Sequence, residues 1–159
     1  MIDINTEGVF PLGLAPLWKL LGFHMDEATL RVIHPWITSG TVSEDTGAVV
    51  YGGVSFPETR IADRTMRIAG RTMTARWEYR LRPPQKYAYS IRGVDGSLVT
   101  IDNAYEEGPD GTIVATTVQG QLRRVPGFLG NAIIRRLLSR ADQEDLEFFS
   151  RLPRPPKGT

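Results

Sequence analysis

GRTMTARWEYRLRPPQKYAYSI, residues 70–91, is the stretch that decides the fold. From Thr72 to Arg82, Met73, Ala75, Trp77, Tyr79 and Leu81 alternate with Thr72, Thr74, Arg76, Glu78, Arg80 and Arg82. That period of two belongs to a strand with one buried and one wet face. Pro83-Pro84 then reverses the chain, and Tyr87, Tyr89 and Ile91 resume the alternation over Lys86–Arg92. Two antiparallel neighbours joined by a short turn follow from this segment alone.

The same pattern extends outward in both directions. Candidate strands run over Trp36–Ser43, Ala48–Phe56, Ile61–Ala69, Leu98–Glu106 and Thr112–Arg123, separated by turn signals at Ala69-Gly70, Asp95-Gly96 and Pro109-Asp110-Gly111. Val99, Ile101, Asn103 and Tyr105, then Val114, Thr116, Val118 and Leu122, continue the inward face. Ahead of the strands, Met1–Phe10 alternates as a strand, and Leu14, Leu17, Trp18 and Leu21 space a short helix over Leu14–Phe23. A second short helix, about Met25–Ile33, is stopped by Pro35, because the residue before a proline avoids helical angles. After Pro126-Gly127 a long helix is expected over Phe128–Leu152, with Ile134, Leu137, Leu138, Ala141, Phe148, Phe149 and Leu152 in one stripe. No other element is left to cover the sheet, so this helix is expected to lie on it.

A chain of 159 residues with 41% hydrophobic and 23% charged residues has the composition of one ordinary globular domain. Domain 1–152 and a proline-rich tail, 153–159, are the expected organisation. The net charge of +1 excludes the basic excess that nucleic-acid binding needs, so no nucleic-acid partner is expected. The absence of cysteine removes disulfides, thiolate nucleophiles and cysteine-ligated metals. No apolar run reaches the roughly 18 residues of a membrane span, and the start MIDINTEG has no basic or apolar leader pattern, so a cytoplasmic location is expected. There is no G-x-S-x-G elbow, no Walker loop and no strand followed by G-x-G-x-x-G, and no cofactor is expected. Nothing in the sequence sets the oligomeric state.

A strand, two short helices, a run of antiparallel strands and a long terminal helix resemble the helix-grip fold of the START-like, Bet v 1-like and polyketide cyclase (SRPBCC) superfamily. Local phrases strengthen the likeness: LAPLWKLL, IHPWITSG, the segment quoted first, PDGTIVATTV and ADQEDLEFF. The resemblance implies an α+β fold in which a curved sheet of seven or eight antiparallel strands wraps around the C-terminal helix. It also implies a cavity between them for a lipid-, sterol- or polyketide-like molecule. Gly52-Gly53 is only a glycine pair where the plant branch has a glycine-rich loop, and 47–62 is long for the pattern, so an extra strand or an extended hairpin is expected there.

On that frame the cavity is expected to be walled by Tyr51, Met66, Trp77, Tyr79, Tyr89, Val99, Ile101, Tyr105, Val118, Ile134 and Leu138, with Arg64 turned inward beside Met66. Asp145 falls near the centre of the apolar stripe of the last helix, where an unpaired carboxylate is costly. It is read either as a polar anchor or general base with a raised pKa, or as a carboxylate paired with a sheet arginine such as Arg64 or emerging at the cavity mouth. Asn103, Tyr79 and Tyr89 bring hydrogen-bonding groups to an apolar space, as ligand orientation requires, or are satisfied at a core boundary.

Ten residues and a helix separate His24 from His34, with no short-spaced ligand pair, so no metal site is expected. Arg123, Arg124, Arg135, Arg136 and Arg140 flank Phe128 and Leu129, which suits either peripheral contact with an anionic lipid surface or ion pairs with Asp142, Glu144 and Glu147. Three functions remain open: carriage of a small hydrophobic ligand; a cyclase or dehydratase with Asp145 as base and Asn103 or a tyrosine stabilising an enolate; and a lipid-surface or protein-interaction module.

Overall fold

The computed structural model describes residues 1–153, so the expected tail falls outside the described residues from residue 154 on. Strand β1 (Ile2–Phe10) is followed by helices α1 (Leu14–Phe23) and α2 (Glu27–Ile33). Strands β2 (Ile37–Thr46), β3 (Val49–Tyr51), β4 (Val54–Phe56), β5 (Thr59–Ile68), β6 (Arg71–Arg82), β7 (Lys86–Gly93), β8 (Leu98–Gly108) and β9 (Gly111–Gln121) come next, and helix α3 (Gly127–Ser150) closes the fold. Seven strands form one antiparallel sheet in the order β1-β9-β8-β7-β6-β5-β2. The topology is that of an α+β helix-grip fold.

Short turns make each of β5 to β9 the neighbour of the next. At β5–β6, Ala69 and Gly70 both take positive φ, the turn whose twist matches paired strands. The face assignments of β6 follow the alternation: Ala75, Trp77, Tyr79 and Leu81 are buried and Arg76, Glu78, Arg80 and Arg82 are exposed. Register shifts between Ile37/Ser39 and Val42/Glu44 place bulges in β2, a device that bends and twists a sheet. Gly120 holds φ 152° opposite Val99, and a Cβ there would stand 2.0 Å from the Leu98 carbonyl oxygen. Gly120→Ala is therefore expected to part β8 from β9 locally and to lower the unfolding free energy by about 1–3 kcal/mol, read as a shift in urea midpoint.

Several strand ends shift by one to three residues from the sequence reading, and three further differences shape the site. Helix α2 starts at Glu27, because Asp26 is its N-cap and its side chain accepts a 3.1 Å hydrogen bond from the Thr29 amide. Ala48–Phe56 is two strands, because Gly52 and Gly53 both take positive φ and fold it into the separate β3–β4 hairpin. That hairpin is the extension expected within 47–62. Helix α3 runs Gly127–Ser150, and only Gly130 and Ile134 on it are buried. It meets the sheet side by side near β1, where Ile134 packs with Ile2, Ile4, Val99, Ile101 and Val118. Beyond that contact the helix stands off the sheet: Leu137, Leu138 and Ala141 of its stripe face a cavity, while Phe148 packs edge-on against Phe23 of α1.

Candidate functional site

The cavity has a volume of about 1190 Å3 and lies between the concave face of the sheet, α1, α2 and α3. Strands β6 and β7 supply its aromatic wall, because their inward positions carry Trp77, Tyr79, Tyr87 and Tyr89. The rings of Trp77 and Tyr89 stack with centroids 5.6 Å apart and planes 4° from parallel, and Tyr79 stacks on Tyr89 at 5.5 Å. Burial pushes the phenol pKa values of Tyr79, Tyr87, Tyr89 and Tyr105 up, so these hydroxyls stay protonated. The Trp77 indole N–H is buried and has no hydrogen-bond partner among the described residues. Met66, Val99, Ile101, Ile134 and Leu138 complete the apolar lining named from the sequence. Asn103 also lines it, donating to the Tyr87 carbonyl at 3.2 Å and accepting from the Thr116 hydroxyl at 2.8 Å.

Three of the expected wall residues lie elsewhere. Tyr51 goes with the β3–β4 hairpin and packs edge-on against Trp18, 6.3 Å between centroids, outside the cavity lining. Val118 is fully buried in the cluster where α3 touches the sheet, outside the cavity lining. Arg64 has the inward parity expected of it and is 1% exposed, but it lies beneath α2 rather than in the cavity. Its Nη2 donates to Glu27 Oε1 at 2.5 Å, its Nε to Glu27 Oε2 at 3.2 Å and its Nη1 to the Tyr79 hydroxyl. The guanidinium also sits 4.7 Å from the Trp77 ring centroid. Gly40 on β2 makes room for this pair, since a Cβ there would stand 2.4 Å from Glu27 Oε2. The partner of Arg64 is thus Glu27, not Asp145.

Asp145 reaches the cavity, and its partners are the two histidines. His24 ends α1 and His34 ends α2, so both imidazoles meet the same stretch of α3. His24 Nε2 lies 2.8 Å and His34 Nε2 3.1 Å from the same Asp145 Oδ1, and the rings are 5.3 Å apart. Separation along the chain hid this convergence, because two successive helices ending on one helix bring their last residues together. The readable signal was a histidine following each short helix, as GFH and VIH.

The raised pKa expected of Asp145 is corrected. Burial pushes the carboxyl up, but His24 and His34 outweigh burial and hold it down at about 2. For His34, burial favours the neutral ring, but Asp145 and Glu144 outweigh it and raise the pKa. Asp142, one turn earlier at the cavity surface, is pushed up to about 6 by desolvation and by the Asp145 charge. The Glu144 carboxylate accepts from Trp36 Nε1 at 2.9 Å and lies 3.2 Å from His34 Nδ1. Of the five clustered arginines, only Arg140 has a carboxylate within 4.0 Å among the described residues, that of Glu144 at 3.8 Å. Arg123 and Arg124 line the cavity at its opposite end, beside the start of α3.

No described helix is long and apolar enough to cross a membrane. No family model matches the sequence, and no curated protein does. Solved structures do match over nearly the whole chain. Ara h 8.0201 is 16% identical with a TM-score of 0.71, over 95% of this chain and 99% of its own. The Zhui aromatase/cyclase from Streptomyces sp. R1128 is 12% identical with a TM-score of 0.70, over 99% of both chains. A START superfamily protein from Mycobacterium smegmatis is 13% identical with a TM-score of 0.67, over 95% of this chain and 99% of that one. Identities this low speak to fold alone. The chain therefore has the helix-grip fold shared by START-like, Bet v 1-like and polyketide cyclase proteins.

Proposed function

We propose that this protein binds or carries one small hydrophobic molecule, lipid-, sterol- or polyketide-like, inside the cavity. The observation that carries this reading is an apolar space of about 1190 Å3 with a stacked Trp77–Tyr89–Tyr79 wall. Ligand pockets of roughly 300–1,000 Å3 hold drug-sized molecules, so the space suits a ligand of several fused rings or a folded chain. Stacked aromatic faces favour planar ring systems. The unpartnered Trp77 indole N–H would gain most from an acceptor on such a ligand, since a buried donor without a partner costs about 1–3 kcal/mol. Arg71, Arg123 and Arg124 at one end suit an anionic substituent.

Titration with 8-anilinonaphthalene-1-sulfonate (ANS) tests this reading, its rings matching the aromatic wall and its sulfonate the arginines. One ANS per chain is expected. Leu138→Lys, which puts a charge in the apolar wall, is expected to weaken binding at least about tenfold, or 1.4 kcal/mol. Val50→Lys, on the exposed hairpin, is expected to leave it unchanged. Equal affinities for both variants would refute the cavity as the binding site.

A second reading, a cyclase or dehydratase acting on a β-dicarbonyl substrate, is favoured by the His24–His34–Asp145 cluster of titratable groups at the cavity wall. A carboxylate held near pKa 2 is a weak base, so His34 is the better proton carrier and Asp145 its positioning partner. Asn103 remains the candidate donor to an enolate. The reading fails if His34→Gln turns over polyketide-like β-diketones as fast as the parent chain.

A further inference from the structure

We propose that His24, His34 and Asp145 form a binding site for one divalent transition-metal ion, with its remaining coordination positions open to the cavity. The three donor atoms lie within 4.8 Å of one another, and both Nε2 atoms converge on Asp145 Oδ1 at 2.8 and 3.1 Å. Spacings of about 3 Å are the edges of a coordination shell with bonds of about 2.0–2.2 Å. Two imidazoles and one carboxylate suit zinc or ferrous iron, and three protein ligands leave at least one position for water or a ligand oxygen.

Hydrogen bonding around His34 favours a cation. Its Nδ1 faces Glu144 Oε1 at 3.2 Å and its Nε2 faces Asp145 Oδ1 at 3.1 Å. A neutral imidazole has a single N–H, so one of these nitrogens presents a lone pair to a carboxylate oxygen unless the ring gains a second proton or a cation lies between. Trp36 Nε1 fixes Glu144 at 2.9 Å, which suits Glu144 as acceptor from Nδ1–H. The Nε2 lone pair then points at Asp145 and the metal position. A carboxylate behind a ligating histidine sets its tautomer and orientation at metal centres. Asp145 faces both imidazoles and Glu144 faces that of His34, and the basic group nearest them on the helix is Arg140, 3.8 Å from Glu144. The ion would hold an oxygen substituent of the cavity ligand, and in that respect it deepens the ligand-binding reading. Metal uptake itself stands independently of that reading.

The test is titration of tag-free, chelator-treated protein with Co(II), followed by visible absorption, with Zn(II) competition. One Co(II) per chain is expected. Glu144→Gln is expected to weaken binding about 10- to 100-fold, and His24→Ala, His34→Ala or Asp145→Asn more than that. ANS binding, measured in parallel, reports whether each variant keeps its cavity, so loss of the metal site and failure of the ligand reading are separable. The chain has only two histidines, so the parent protein also answers without substitution. Paramagnetic shifts on both imidazoles place the ion. No uptake of Co(II) or Zn(II), or uptake that leaves either imidazole unshifted, overturns the site.

Discussion

Trp18→Ala is expected to lower the free energy of unfolding by about 3–5 kcal/mol, the largest loss from any single truncation named here. Trp18 is 1% exposed at the centre of the larger core cluster. Its ring meets Phe56 at 5.3 Å, Tyr105 at 5.8 Å, Tyr87 at 6.2 Å and Tyr51 at 6.3 Å, all edge-on. One side chain of α1 therefore ties together the β3–β4 hairpin and strands β7 and β8. Its Nε1 also donates to the Pro84 carbonyl at 2.8 Å, anchoring the β6–β7 turn. Small domains have about 5–15 kcal/mol in total, so the variant is expected to be near the limit of folding. Trp18→Phe keeps most of the contact and loses only the hydrogen bond, for about 1–3 kcal/mol. Urea denaturation of both variants checks the ordering, and a Trp18→Ala loss below that of Trp18→Phe would refute it.

Glu27→Gln is expected to cost about 3–5 kcal/mol, because it leaves the guanidinium of Arg64 buried without a counter-charge. Two charge-assisted hydrogen bonds make up the ion pair between these side chains, and Arg64 has no route to solvent at 1% exposure. Removing both charges, in Glu27→Leu with Arg64→Met, is expected to restore much of that loss, since apolar pairs often replace buried ion pairs at little cost. Arg64 also backs Trp77 and Tyr79, so the single variant is expected to weaken ANS binding by loosening the aromatic wall. A double variant less stable than Glu27→Gln would show that the salt bridge itself, rather than the orphaned charge, carries the energy.

These two sites show what the sequence could and could not disclose. The strand around Trp77 was legible residue by residue, because one face is packed and the other wet, and Trp18 stood out in the apolar spacing of LAPLWKLL. Helix α1 has the bounds that spacing implied. Arg64 was correctly turned inward from strand parity, but its partner was not legible, because Glu27 reaches it from another element across a gap that Gly40 keeps open. Tyr51 was misplaced for a local reason: two positive-φ glycines carry its strand away from the main sheet. Val118 was misplaced for a tertiary one, since no periodicity tells where a covering helix touches a sheet and where it stands away. His24 and His34 escaped for the same reason, their meeting point being fixed by α3.

Methyl-resolved NMR of the protein titrated with ANS tests the central claim, that the cavity is a ligand site, most directly. Shifts and intermolecular contacts are expected on the methyls of Val99, Ile101, Ile134 and Leu138, which line the cavity, while Val32 and Val50, each 70% exposed, stay unmoved. Contacts confined to Val32, Val50 or other surface methyls, with the four cavity methyls unchanged at saturation, would contradict the account.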